Sequence, residues 1–239
     1  MRRIALQELS LKTVLLIGLL VTGLALLESW RGWIYAPFPI GHALLALLIP
    51  IWCKCLNLGN ALSILRSHIR IVILFSAVAL LFMGAYIVLY SAILGAFGRN
   101  HDSNWNLLAT YELFGKFYIS RYGRTTVLLS GYLLVGIWPM FGEEFFYRAF
   151  LFNGLMNHAT PVVAAIVSSS LFGIRHAFQL AYFLPAYPAV SGAAYFIWAA
   201  GFGLLWSCVY YRTQSLWPCI AIHSANLVLA PLVLLIVKL

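Results

Sequence analysis

The sequence predicts an all-α protein: a bundle of membrane-crossing helices with about seven spans, or eight, and an interfacial helix before the fourth. Two observations carry the class. Hydrophobic residues make up 63% of the 239 residues and charged residues only 9%. Apolar runs long enough to cross a hydrocarbon core of ~30 Å recur along the whole chain. A water-soluble domain of this length needs more charge, so soluble classes are excluded. The formal net charge of +9 would point to nucleic acid in a soluble protein. Here the bases lie mostly between spans, so they read as topology signals and lipid-headgroup contacts, with no nucleic-acid partner.

In chain order, Met1-Arg2-Arg3 precedes a long apolar run with no small-residue cleavage site. It reads as a retained first span, about Leu11 to Leu27. Trp30, Trp33, Tyr35, Pro37 and Pro39 follow as an aromatic interfacial belt. The second span covers about Ile40 to Leu56 and carries Pro50. A loop to Arg70 leads to the third span, about Ile71 to Phe97. Residues Arg99 to Arg124 mix charges with aromatics and read as a loop with a helix lying on the membrane. The fourth span runs from Thr126 to Phe152, with Pro139 set to kink it. The fifth covers about Pro161 to Phe183, the sixth Val190 to Tyr211, the seventh Leu216 to Val237.

No soluble domain, long linker or repeat interrupts this pattern. The chain reads as one integral-membrane unit over residues 1–239, with N-terminal spans in 1–125 and a polar core in 126–239. With the N-terminus inside, the inner segments hold seven bases and the outer segments six, which is no bias. The first loops favour N-inside, whereas the basic stretch from Arg99 to Arg124 contradicts it. The expected location is the plasma membrane of a prokaryote.

Against this background one run stands out, Glu143-Glu144-Phe145-Phe146-Tyr147-Arg148. Only six residues of the chain are acidic, and two are adjacent here, inside a predicted span. A charged side chain at mid-membrane costs roughly 2.5–3.5 kcal/mol on insertion scales. On a regular helix Glu144 and Arg148 are i and i+4, the acid first, which favours an ion pair. Glu143 points about 100° away and gains no local partner. A spare carboxylate in a low-dielectric site is a candidate general base.

The fifth span holds Phe172-Gly173-Ile174-Arg175-His176. Arg175 has few acidic partners to choose from, so it either balances Glu143 and Glu144 or points to water through a funnel. The seventh span holds His223 and Asn226, i and i+3 on one face, an imidazole and an amide able to donate to a developing oxyanion. The bland reading of each histidine and of Asn226 is interhelical hydrogen bonding. Gly201, Gly203 and Ser224 read as close-packing positions. At 1.5 Å per residue, Glu143 lies ~15 Å, His223 ~10 Å and His176 ~22 Å from one membrane face, so the three spans can bring these groups together.

Glu-Glu-x-x-x-Arg, then Phe-x-x-x-His, then His-x-x-Asn resembles the CAAX-protease and bacteriocin-processing family of glutamic-type intramembrane proteases, which includes the prenyl-protein endopeptidases. The resemblance covers about Thr126 to Leu239. It implies an intramembrane endopeptidase without a cofactor, acting on a membrane-associated protein or peptide. It implies that Glu143 activates water with His176 assisting, that His223 and Asn226 form the oxyanion hole, and that Glu144 and Arg148 support the site. The family often places the amide four residues after the histidine, where this chain has Leu227; Asn226 is rotated from that position by about 100°.

Other chemistries have weaker signals. Two Glu and two His are zinc ligands by type, but no His-Glu-x-x-His helix is present. Ser168-Ser169-Ser170 lacks a nucleophile elbow. The one aspartate, Asp102, lies in a loop. Cys219 and His223, at i and i+4, allow a thiolate–imidazole pair and a membrane sorting peptidase. A transporter, immunity protein or scaffold would use the same polar cluster without catalysis. All four cysteines otherwise read as unpaired small apolar residues.

Overall fold

The computed structural model describes residues 6–31, 40–56, 58–99, 120, 123, 142–183 and 189–237. Among them there are helices and no strands. A short 3₁₀ turn, Leu6–Glu8, precedes α1 (Leu11–Arg31), α2 (Ile40–Trp52), α3 (Ala61–Ser67) and α4 (Ile69–Ala96). A π-helical segment, Glu144–Phe152, runs into the single turn α5 (Asn153–Met156). Then come α6 (Pro161–Phe183), α7 (Ala189–Thr213) and α8 (Leu216–Val237). Leu11–Glu28, Ile69–Ala96 and Gly192–Thr213 are long and apolar enough to cross a membrane. They match the predicted first, third and sixth spans.

These helices are built with their apolar side chains outward. On α4, Ile73, Leu74, Leu81, Val88 and Leu89 are exposed, while Ala79, Met83 and Leu94 are buried. On α1, Leu16, Leu19, Leu20 and Leu27 are exposed over a buried line of Val14, Val21 and Ala25. Water would oppose so much exposed leucine. A bilayer solvates it, and packing inside is then carried by close contact between small residues.

The second helix stops earlier than expected, at Trp52. Lys54 adopts a positive φ of 52°, and Cys55 N–H reaches back to Pro50 O at 2.9 Å. That is a helix-ending turn, and it satisfies a carbonyl the helix would leave bare. The expected loop to Arg70 contains α3, capped by Asn60, whose side chain accepts from Ser63 N–H at 3.1 Å. Asn60 was a readable start signal. The expected interfacial helix, Pro139 and the first part of the fourth span lie outside the described residues, apart from Arg99, Ser120 and Gly123.

Helices α6 and α7 pack most closely, and two glycines make that possible. A Cβ at Gly203 would stand 2.9 Å from the Ser169 Cβ. One at Gly173 would stand 2.9 Å from the Phe196 carbonyl oxygen. Gly201 meets Phe82 of α4 in the same way. Gly201 and Gly203 are therefore close-packing positions, as expected. Under them lies an aromatic core. Phe172 sits edge-on to Tyr147 and Trp206, at 5.1 and 5.7 Å, and Phe202 stacks on Trp206.

Candidate active site

The π segment was expected to be regular α-helix. Its bonds instead run to the fifth residue, as where Asn153 N–H meets Arg148 O. Such segments are rare and recur at functional sites. All nine of its residues are buried, so its polar side chains must find partners on other helices.

Glu144 and Arg148 still form the expected pair, Arg148 Nε to Glu144 Oε2 at 3.3 Å, both fully buried. The guanidinium also donates to Gly203 O at 3.3 Å, a carbonyl that the missing Cβ brings near. It lies over the rings of Phe172 and Trp206, 4.8 and 5.1 Å from their centres. These contacts hold a buried cation in place. The other Glu144 oxygen, Oε1, is 2.9 Å from His223 Nδ1, and the His223 ring stacks on Trp206 at 4.0 Å. A carboxylate there places the proton on Nδ1 and turns Nε2 toward Glu143. His223 Nε2 stands 3.9 Å from Glu143 Oε2.

Glu143 is not left without a partner. Arg175 NH1 pairs with its Oε1, and both side chains are buried. The sequence left Arg175 two choices, and it takes the carboxylate rather than water. His176 Nε2 lies 3.8 Å from the same oxygen. Glu143 Oε2 is buried and has no hydrogen-bond partner.

Of the predicted residues, His176 and His223 thus stand beside the Glu143 carboxylate, and Glu144 and Arg148 join through His223. Asn226 is placed differently. It is buried, but its Nδ2 donates to Ile222 O on its own helix at 2.9 Å, and its Oδ1 has no hydrogen-bond partner. Cys219 Sγ faces the carbonyls of Trp206 and Ser215, at 3.5 and 3.9 Å, while the His223 Nδ1 is spent on Glu144. Ser168 Oγ donates to Tyr147 O at 2.6 Å. Cys219 and Ser168 are thus satisfied by backbone rather than poised as nucleophiles.

The sequence reading left three contributors out of the site. Arg175 was noticed but not placed in it. Trp206 carries the His223 ring. His42 of α2 is fully buried, with its Nε2 3.5 Å from Tyr147 Oη and its Nδ1 without a hydrogen-bond partner. A histidine two residues into an apolar helix was its only signal. Among the described residues, no group of three His, Cys, Asp or Glu side chains is arranged to hold a metal ion.

No curated protein and no solved structure gives a significant match to this chain. A family model, type II CAAX prenyl endopeptidase Rce1-like, matches residues 124–229. That stretch contains all six predicted site residues, the π segment and helices α6 and α7 with most of α8. The three ordered motifs fall inside the stretch over which the chain is similar to this family.

Proposed function

We propose that the protein is an intramembrane endopeptidase of glutamic type, with Glu143 as the base. The family implies a protease that acts on a membrane-associated protein. One observation supports the finer reading most strongly. Glu143 Oε2 is buried, has no hydrogen-bond partner, and faces His223 Nε2 at 3.9 Å. A water bonded to both atoms sits where a carboxylate can take its proton.

In this reading the water oxygen bonds to the scissile carbonyl carbon as its proton passes to Glu143. The carbonyl oxygen becomes an oxyanion. His223 can stabilise it only when Nε2 also carries a proton, because Nδ1 already donates to Glu144; the Glu144 carboxylate supports that imidazolium. The carbon–nitrogen bond then breaks and Glu143 returns its proton to the leaving amine. Asn226 joins the oxyanion hole by exchanging its bond to Ile222 O for one to the oxyanion. Arg148 holds Glu144 in place. His176 assists from the far side of Glu143.

The proposal includes the seven-span unit in a prokaryotic plasma membrane, and a substrate that is a membrane-associated protein or peptide tail. It needs no metal. Glu143→Gln is expected to abolish cleavage while the protein still inserts. The measurement is comparative proteomics of membrane peptides from cells carrying wild type or the variant. Unchanged peptide patterns would sink the glutamic mechanism and favour a non-enzymatic role. EDTA or phenanthroline is expected to leave the purified activity intact; loss restored by zinc would replace the glutamic reading with a metal one.

A further inference from the structure

Arg175 stands one residue before His176, and the chemistry above gives it no task. Its surroundings define one. His176 Nδ1 is 2.8 Å from Phe172 O. A carbonyl only accepts, so Nδ1 carries the ring proton and a neutral ring offers a lone pair at Nε2. Arg175 NH1 reaches that nitrogen at 3.2 Å. The same NH1 pairs with Glu143 Oε1. One terminal guanidinium nitrogen therefore serves both acceptors with its two hydrogens.

The consequence falls on Glu143. The last torsion of a glutamate side chain is broad and roughly two-fold, so nothing intrinsic decides which oxygen faces the water. Here Oε1 is taken by Arg175. Oε2 is left toward His223 Nε2. The backbone carbonyl of Phe172 orients His176, His176 holds Arg175, and Arg175 holds Glu143.

We propose that Arg175 is a positioning residue: it tethers one carboxylate oxygen of Glu143 and presents the other to the water beside His223. While this bridge stands, the His176 Nε2 lone pair is occupied, so His176 acts on Glu143 through Arg175. The proposal rests on Glu143 as the base. It predicts that a single charged tether matters more than the shape of the fork.

The test uses the full chain, purified in detergent, with the peptide whose cleavage depends on Glu143 as substrate. Arg175→Gln is expected to lower kcat by ~10²-fold with KM nearly unchanged, the scale of a small misplacement of a reacting group. Arg175→Lys, which keeps one cationic donor, is expected to stay within about tenfold of wild type. The second measurement needs no substrate. The carboxylate infrared band assigned to Glu143, by difference from Glu143→Gln, should shift in Arg175→Gln and be restored in Arg175→Lys. It also decides the matter if Arg175→Gln folds poorly, since Arg175→Lys against wild type then carries the comparison. A wild-type kcat in Arg175→Gln, an equal loss in both variants, or an unmoved band would overturn the tether. Absence of any Glu143-dependent cleavage would overturn the functional reading itself.

Discussion

Helices α1 and α4 and the cluster formed by the π segment, α6 and α8 are drawn from nearly the same apolar alphabet and use it in opposite ways. On α4 the large side chains face out, and the buried line is Ala79, Met83 and Leu94. In the cluster the buried groups include two carboxylates, two guanidiniums and an imidazole. Each buried charge there is met by a group on another helix: Glu143 by Arg175, Glu144 by His223, Arg148 by Gly203 O. The lipid-facing helices need only to be apolar and long. The cluster must be built as a whole, because a buried charge without its partner is costly.

The difference can be tested from its strong end to its weak end. Glu143→Gln should have the largest effect, loss of all turnover with insertion intact, read in the peptide comparison described above. Arg148→Ala should follow. It leaves Glu144 with His223 but no charged partner on its own helix, and empties the space over Phe172 and Trp206, so a loss of roughly 3–5 kcal/mol is expected, by analogy with buried pairs in soluble proteins. Thermal unfolding in detergent measures it, and wild-type stability would mean that water reaches the pair.

His223→Ala should reduce kcat by the ~10²–10³ typical of one lost oxyanion donor. Asn226→Ala should cost less, with KM nearly unchanged, because the amide already donates to Ile222 O. Equal losses in the two variants would show that giving up the bond to Ile222 O costs the amide little during turnover. Leu81→Ala, at an exposed position of α4, marks the weak end. Its stability should stay within about 0.5 kcal/mol of wild type, with unchanged kcat. A larger effect there would erase the contrast between the two regions.

Much was legible without coordinates. Sparse charge and long apolar runs identified the class and the limits of α1, α4 and α7. The Glu144–Arg148 pair was legible because both residues lie on one helical segment, four positions apart, and local spacing sets their distance. Gly201 and Gly203 were legible because small residues are what lets membrane helices approach. The three polar motifs told which spans had to meet, since no isolated charge is stable in lipid.

Which polar groups meet was decided only by the tertiary structure. Each step along a helix turns a side chain by about 100°, so a small rotation of α6 decides whether Arg175 faces Glu143 or water. Nothing in the composition of α6 sets that rotation; close packing of Gly173 and Gly203 between α6 and α7 does. The same holds for His223, whose ring is held by Trp206 of α7 and Glu144 of the π segment, and for His42, brought in from α2. The π segment and the inward turn of Asn226 also escaped the sequence, because both are choices among backbone and side-chain bonds of similar energy, settled by the neighbours. Spacing along one helix is a property of the chain, whereas pairing between helices is a property of how they are rotated and packed.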